Sequence, residues 1–324
     1  MEIIKVKNLV KKFGQITAVD GISFQVREGE IFGFLGPNGA GKTTTINILC
    51  TLLRPTSGTA YLGGFDVARE SNRVRKSIGL VFQDPSLDER LTARENLEFH
   101  GMIYHIPKKE RQARIDEVLA MVELGERQND FVRTFSGGMK RRLEIARGLI
   151  HYPRILFLDE PTLGLDPQTR AHIWDYIYDL KKRQAITIFL TTHYMDEAEN
   201  CDRIAIIDYG KIIALDQPDA LKKEVKGDLI TLKTADNEKA AKEIEDKYGY
   251  TVQKDGDGLQ FEVNGGDEFI PRFIPKFKVP ISTISLRKPP LDDVFLKLTG
   301  RAIRAEKVGA VDRMRVFVRG RTRR

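Results

Sequence analysis

Residues 2–10, EIIKVKNLV, alternate apolar and polar side chains, and residues 22–26, ISFQV, do so again. A period of two places the apolar set on one face of a pleated strand, which predicts two antiparallel strands joined around the turn KKFGQ at 11–15. The pattern then changes. Residues 31–35 (IFGFL) form a continuous apolar run, too short for a helix and expected as a strand buried on both faces. Residues 45–53 read as a helix, RPTSG is a breaker cluster, and GTAYLGGFDV at 58–67 resembles a strand with a glycine turn. Residues 77–83 (SIGLVFQ) are expected as a buried strand ending in a polar amide.

Between 92 and 123 the apolar residues Leu97, Ile103, Ile115, Val118, Leu119 and Val122 fall at helical spacing, interrupted by Pro107. This predicts a helical insertion between two halves of an α/β core, without heptads for an extended coiled coil. KRRLEIARGLI at 140–150 continues a strong helix whose expected N-cap is Ser136. ILFLDE at 155–160 is a buried strand closed by two acids. GLDP at 164–167 is a turn into a helix over 168–182, and ITIFLT at 186–191 is another buried strand. Beyond Asp216-Gln217-Pro218 the expected order is strand 229–233, helix 237–248, strand 250–253, a DGDG turn, strand 259–263, helix 267–277 and strand 280–286. That is β-α-β-β-α-β, a ferredoxin-like order.

Composition narrows the class. A chain of 324 residues accommodates one large domain and a smaller one, and 41% hydrophobic residues exceed what a disordered chain carries. Apolar runs stay well short of the roughly 20 residues a membrane span needs, and MEIIKVKNLV lacks a signal-peptide core, so a cytosolic protein is expected unless a partner anchors it. Cys50 and Cys201 lack disulfide or zinc spacing and read as reduced packing residues. Nine Lys/Arg against two acids in residues 301–324 account for the whole net charge of +7. The remainder is neutral, which argues against a uniformly basic nucleic-acid-binding surface.

The chemistry concentrates in a few places. GPNGAGKTT at 36–44 follows the apolar run and precedes a helix; Gly36, Gly39 and Gly41 let the backbone curl with its N–H groups inward, fitting the P-loop pattern G-x-x-x-x-G-K-[ST]. Lys42 would reach β- and γ-phosphates and the Thr43 hydroxyl would ligate Mg²⁺. Gln83 either caps its strand or reaches a metal or water beside the γ-phosphate. Phe13 is either a surface aromatic or a platform stacking on adenine. Ser136, Gly137 and Gly138 are an ordinary capped helix start or a second anion site. Adjacent residues on a strand point oppositely, so Asp159 and Glu160 cannot share a task unless the strand ends between them. Asp159 is assigned to the coordination shell of Mg²⁺, through water, and Glu160 to the attacking water as general base. His193, expected at the same sheet edge as Lys42 and Asp159, is either a structural histidine or, as that edge favours, a group acting at the γ-phosphate.

Taken in order, Lys42, Gln83, Ser136 to Gly138, Asp159, Glu160, Asp166 and His193 make residues 2–220 resemble the nucleotide-binding subunit of an ATP-binding cassette (ABC) transporter. The resemblance implies that Phe13 stacks on adenine and that Gly36, Pro37, Asn38, Gly39, Ala40, Gly41, Lys42, Thr43 and Thr44 form the Walker A loop. It implies that Gln83 joins the metal site to the permease, and that FSGGM stands for the LSGGQ signature with its Ser-Gly-Gly kept. Asp159 and Glu160 complete Walker B, Asp166 is the D-loop aspartate, and His193 is the switch histidine. The C-terminal module, ending in LDDVFLKLTG, is similar to that of drug-resistance ATPases of the daunorubicin-exporter type, whose permeases are separate multispanning proteins.

The implied fold is an α/β P-loop NTPase with a helical subdomain at about 84–150 and antiparallel N-terminal strands, occupying 1–220. A small α+β ferredoxin-like domain at 221–300 and a basic tail at 301–324 follow. The implied function is that of an ATP hydrolase using ATP and Mg²⁺, paired with a second, identical subunit and held at the cytoplasmic face of the membrane by a permease. A soluble ABC ATPase acting on nucleic acid or ribosomes is the alternative, but such proteins usually carry two cassettes or long coiled-coil inserts. Glu160 and His193 argue against a regulatory module without turnover. For the tail three readings stand: a solubilising end, a contact with anionic lipid near the permease, or an RNA-binding arm.

Overall fold

The computed structural model describes residues 1–84, 86–184, 186–225 and 227–300; the basic tail at 301–324 lies outside them. The chain opens with a long hairpin of β1 (Glu2–Phe13) and β2 (Ile16–Arg27). Pairing continues through Lys12–Thr17 and Phe13–Ile16, so the expected five-residue turn contracts to Gly14 and Gln15. β3 (Ile31–Leu35) is buried along its whole length, as a continuous apolar run requires. α1 (Lys42–Leu49) begins inside the glycine loop, three residues before its apolar periodicity does, and stops ahead of Thr51, which has a left-handed φ of 64°.

β4 (Ser57–Leu62) and the two-residue β5 (Phe65–Asp66) extend the hairpin into an antiparallel sheet ordered β2-β1-β4-β5. α2 (Ser71–Ser77) then precedes β6 (Ile78–Val81). This helix is illegible from pattern because Val74 is its single buried residue. It also claims Ser77, and the strand stops before Gln83.

Pro107 separates α3 (Ala93–Ile103) from α4 (Lys108–Met121), and a capping box of Thr92 and Glu95 starts α3. α5 (Gly137–Leu149) follows, capped by Ser136, whose Oγ accepts from the Met139 N–H at 3.3 Å. The chain then alternates through β7 (Ile155–Asp159), α6 (Pro167–Gln184), β8 (Thr187–Thr192), α7 (Met195–Glu199), β9 (Arg203–Asp208) and β10 (Lys211–Asp216). The central sheet runs β10-β9-β3-β8-β7-β6, parallel from β9 to β6. On one of its faces Phe24, Phe32, Phe34, Phe157 and Phe189 pack with ring centroids 5.3–6.0 Å apart, joining it to the antiparallel sheet. The other face carries α5, α6 and the helical insertion.

After α8 (Pro218–Val225) come β11 (Asp228–Thr234), α9 (Asn237–Tyr248), β12 (Gln253–Asp255), β13 (Gly258–Val263), α10 (Gly266–Phe273), β14 (Ile281–Arg287) and α11 (Leu291–Thr299). The third sheet is ordered β12-β13-β11-β14, the antiparallel arrangement of a ferredoxin-like module, with its own core around Phe261 and Phe273. The helices flanking it behave differently. Leu221 of α8 and Leu291, Val294 and Phe295 of α11 are buried in the core of the cassette, so packing cuts across the division at 220/221 expected from the chain order. Apolar spacing in α11 is compatible with either core. Only the return of the chain decides which one it fills.

Candidate active site

Four neighbouring parallel strands deliver the predicted residues to one sheet edge. Leu35 is in register with Thr192, Asp159 with Thr191, and Val81 with Leu158, so the segments after β3, β8, β7 and β6 emerge together. In open α/β sheets that edge binds ligands. A cavity of about 490 Å³ lies there, lined by Pro37, Asn38, Gly39, Gly41, Lys42, Thr43, Thr44, Gln83 and Glu160, and by Ala18 and Asp84, which sequence reasoning missed. Gly36 and Ala40 stand behind the loop, the latter's carbonyl accepting from the Gly210 N–H at 2.9 Å. Gly41 is obligatory: its φ is 105° and a Cβ would meet the Ala18 carbonyl oxygen at 2.4 Å.

Within this cavity Lys42 and Glu160 are both buried, with Nζ 3.1 Å from Glu160 Oε1. Lys42 also donates to the carbonyls of Gly36 at 2.8 Å and Pro37 at 3.2 Å. His193 Nδ1 lies 3.3 Å from Glu160 Oε2, close enough for an ion pair though not aligned as a hydrogen bond. Asp159 Oδ1 accepts from the hydroxyls of Thr191 at 2.5 Å and Thr43 at 3.3 Å.

The strand does end between the two acids. Glu160 has a φ of 45°, rare for a side chain of its kind, and its N–H turns back to the Thr191 carbonyl at 3.2 Å and hydroxyl at 3.1 Å. Asp159 therefore faces Thr43 while Glu160 faces Lys42 and His193. Burial raises the Asp159 carboxyl above its ordinary value, against the pull of the Thr191 and Thr43 hydroxyls. For Glu160 burial works upward too, but His193 and Lys42 together outweigh it and hold the group low.

Two hard-oxygen groups, Thr43 Oγ1 and Asp159 Oδ1, converge beside the phosphate loop, a donor set that suits Mg²⁺. Among the described residues no cluster of three or more His, Cys, Asp or Glu could hold a metal unaided, so a cation here would take further oxygens from a bound phosphate, as Mg²⁺ does.

Not every predicted residue meets this cavity. Phe13 is half-exposed at the hairpin tip with the Lys11 ammonium 5.0 Å from its ring centroid, and it does not line the cavity. Ser136 and Gly138 line a separate cavity of about 200 Å³ with Met139, Arg142 and Thr169. Asp166 caps α6, its Oδ1 accepting from the Thr169 N–H at 3.0 Å and its Oδ2 from the Thr169 hydroxyl at 2.6 Å. Sequence reasoning also missed two buried groups. Glu197 accepts from the hydroxyls of Thr162 and, at 2.7 Å, Thr192, tying the segment after Glu160 to the one carrying His193. Arg141 donates into the end of β7.

A phosphate loop, a buried lysine and a carboxylate pair at the edge of a parallel sheet, with a helical insertion and an antiparallel N-terminal sheet, define an ATPase cassette of the P-loop class. Comparison with known proteins narrows this. A family model described as ABC transporter matches residues 19–163. The daunorubicin resistance ATP-binding protein DrrA3 of Streptomyces coeruleorubidus is 42% identical over 92% of this chain and 96% of its own, and the linearmycin resistance ATP-binding protein LnrL of Bacillus subtilis is 37% identical over 93% and 100%. Among solved structures, the dimeric post-hydrolysis state of the cassette MJ0796 bound to ADP and Pi superposes with a TM-score of 0.60 at 32% identity, covering 66% of this chain and 98% of that one. The chain belongs to the ATP-binding, ATP-hydrolysing subunits of ABC transporters.

Proposed function

We propose that this subunit powers an exporter, working as a pair on a separate multispanning permease at the cytoplasmic face of the membrane. Names of relatives that confer daunorubicin and linearmycin resistance support the direction of transport, and the dimeric cassette MJ0796 supports the pairing. The observation that carries the reading is the separation of two glycine-bearing helix starts, each able to receive phosphate. Lys42 and Glu160 line one cavity, with His193 3.3 Å behind Glu160, whereas Ser136 and Gly138 line another. One nucleotide has one γ-phosphate end. In a two-fold pair, the Ser136 helix of each copy covers the ATP held by the other's phosphate loop, and Asp166 lies beside that helix through Thr169.

Thr43 and Asp159 would hold Mg²⁺, with Gln83 on the cavity wall; bound there, the ion neutralises phosphate charge. Lys42 exchanges Glu160 for the β- and γ-phosphates. That exchange removes the Lys42 ammonium, one of the groups holding the Glu160 carboxylate low, and leaves it a better base toward water. His193, beside Glu160, is set to contact the γ-phosphate. Phe13 supplies an exposed ring for adenine.

Glu160→Gln tests the whole scheme. The amide keeps the size of the carboxylate but is too weak a base, so ATP binds and is not released by hydrolysis. Size-exclusion chromatography with light scattering at low Mg²⁺ should show a dimer with ATP and a monomer with ADP. Adding Ser136→Arg should abolish the dimer. A single variant that stays monomeric, or a double variant that still dimerises, overturns the shared site.

A further inference from the structure

Arg141 sits in the buried face of α5 with only 7% of its surface exposed, and it makes more polar contacts than any charge–charge role requires. Its Nε donates to the Pro161 carbonyl at 2.6 Å, and its Nη2 to the carbonyls of Asp159 at 3.1 Å and Glu160 at 3.2 Å. Nη1 donates to the Phe82 carbonyl at 2.5 Å and pairs with Glu144 Oε2 at 3.1 Å. Two further side chains of the same helix complete the grip. Glu144 Oε1 accepts from the Ser86 N–H at 2.7 Å, and Arg147 Nη1 donates to the Ser86 carbonyl at 2.7 Å.

The loop that carries Gln83 is thus held on both sides, at Phe82 and Ser86, by one helix. Three consecutive carbonyls where β7 ends are held by the same guanidinium. The Glu160 carbonyl also accepts from the Leu163 N–H at 3.2 Å, so the arginine is its second donor. Glu160 leaves the strand with a φ of 45°, so beyond Asp159 the sheet no longer supplies N–H donors, and a planar fork with five N–H groups can serve several acceptors at once. A lysine ammonium, with three donors around one point, cannot span Phe82, Pro161 and Asp159 together.

We infer that Arg141 is a positioning residue for ATP hydrolysis, locking the peptide of Glu160 and the start of the Gln83 loop to the helix that begins at Ser136. The inference rests on the roles proposed above for Glu160 and Gln83. It makes alignment of the base depend on where α5 sits, and therefore on the helix start that the second copy's nucleotide would touch.

The experiment compares the full chain carrying Arg141→Lys or Arg141→Met with wild type and with Glu160→Gln. Arg141→Lys keeps a positive charge opposite Glu144 and is expected to fold, bind ATP with KM within about threefold of wild type, and lose at least about tenfold in kcat, the pattern of a misplaced group rather than a lost binding contact. In single-turnover assays the Arg141→Lys change should slow Glu160→Gln by clearly less than it slows wild type, because the part exerted through Glu160 disappears when Glu160 is already gone and only the part exerted through the Gln83 loop remains. Wild-type kcat in Arg141→Lys, a loss confined to KM, or full multiplicative loss in the double variant overturns the inference. Unfolding of both Arg141 variants assigns the residue to stability alone and overturns it as well. A different result strikes the parent reading and the inference with it: wild-type protein without ATP turnover, or Glu160→Gln as fast as wild type.

Discussion

A Cβ on Gly138 would stand 2.5 Å from Cγ2 of Thr169, so this glycine of the Ser-Gly-Gly motif is demanded by packing inside one chain, whatever it does toward phosphate. Gly138→Ala should destabilise the protein by about 1–3 kcal/mol through overpacking. Thr169→Ser removes the offending methyl and keeps the hydroxyl that donates to Asp166, so the pair Gly138→Ala/Thr169→Ser should recover most of that loss in chemical denaturation. If the double variant is no more stable than Gly138→Ala alone, the Thr169 contact is not what the glycine serves. Glu160 makes the complementary point. Its neighbour Asp159 lies in regular strand, and one residue in the left-handed region is enough to send two adjacent carboxylates to different tasks.

Between α3 and the end of α5 the packing is aromatic and polar at once. Tyr104 stacks on the His151 imidazole with centroids 3.7 Å apart, and His100 meets Tyr104 edge-on at 5.3 Å. His151 Nε2–H donates to the Ile78 carbonyl at 2.8 Å. Burial first, and then Arg147 beside His100, brings the His100 pKa to about 4; burial, with Arg114 nearby and against the Ile78 bond, brings His151 to about 4 as well. Both rings are neutral in the folded protein where the unfolded chain, near 6.5, would already be charged. Between pH 6.5 and 4 the unfolded chain therefore binds more protons, and stability falls as the pH drops through that window, by up to about 1.4 kcal/mol per pH unit for each ring. Urea denaturation of wild type and a His100→Asn/His151→Asn variant at pH 7 and pH 5 checks this: the variant should lose clearly less stability on acidification. Equal losses would place the acid sensitivity elsewhere.

At the scale of the whole molecule the ferredoxin-like module is bracketed by helices that belong to the cassette core. Phe295 of α11 is 1% exposed and shares that core with Leu221, Met195 and Ala198, the last two on the helix that follows His193. Phe295→Ala should cost about 3–5 kcal/mol, the range for emptying a buried aromatic site. Chemical denaturation gives the loss directly. Under conditions where the variant remains folded, ATP affinity should match wild type, since Phe295 lies outside the cavity of Lys42 and Thr43. A large loss of affinity with little loss of stability would mean that α11 acts on the nucleotide site and not on the core.

Much of this protein is determined along the chain, because some chemistry admits few residues in few spacings. A phosphate loop needs glycines and a lysine ahead of a helix, and a strand ending in carboxylates is readable as four apolar residues and two acids. Lys42, Thr43, Asp159 and Glu160 stood out as candidates for that reason, His193 by its place after a buried strand, and the β-α-β-β-α-β order of the C-terminal module by its sequence of elements. Boundaries were less so: the hairpin outran its alternating pattern, and α2 carries too few apolar residues to show a period. Arg141 and Glu197 were invisible, since a charged residue in a polar helix run reads as a solvated face until the fold buries it. Their partners are backbone carbonyls and threonine hydroxyls from other segments, which have no signature in a one-dimensional pattern. Which core α11 joins, and that Ser136 opens onto a different cavity from Lys42, followed from chain return and strand order alone. Those are properties of the tertiary structure, because they depend on which distant segments share a neighbour and not on what any segment is.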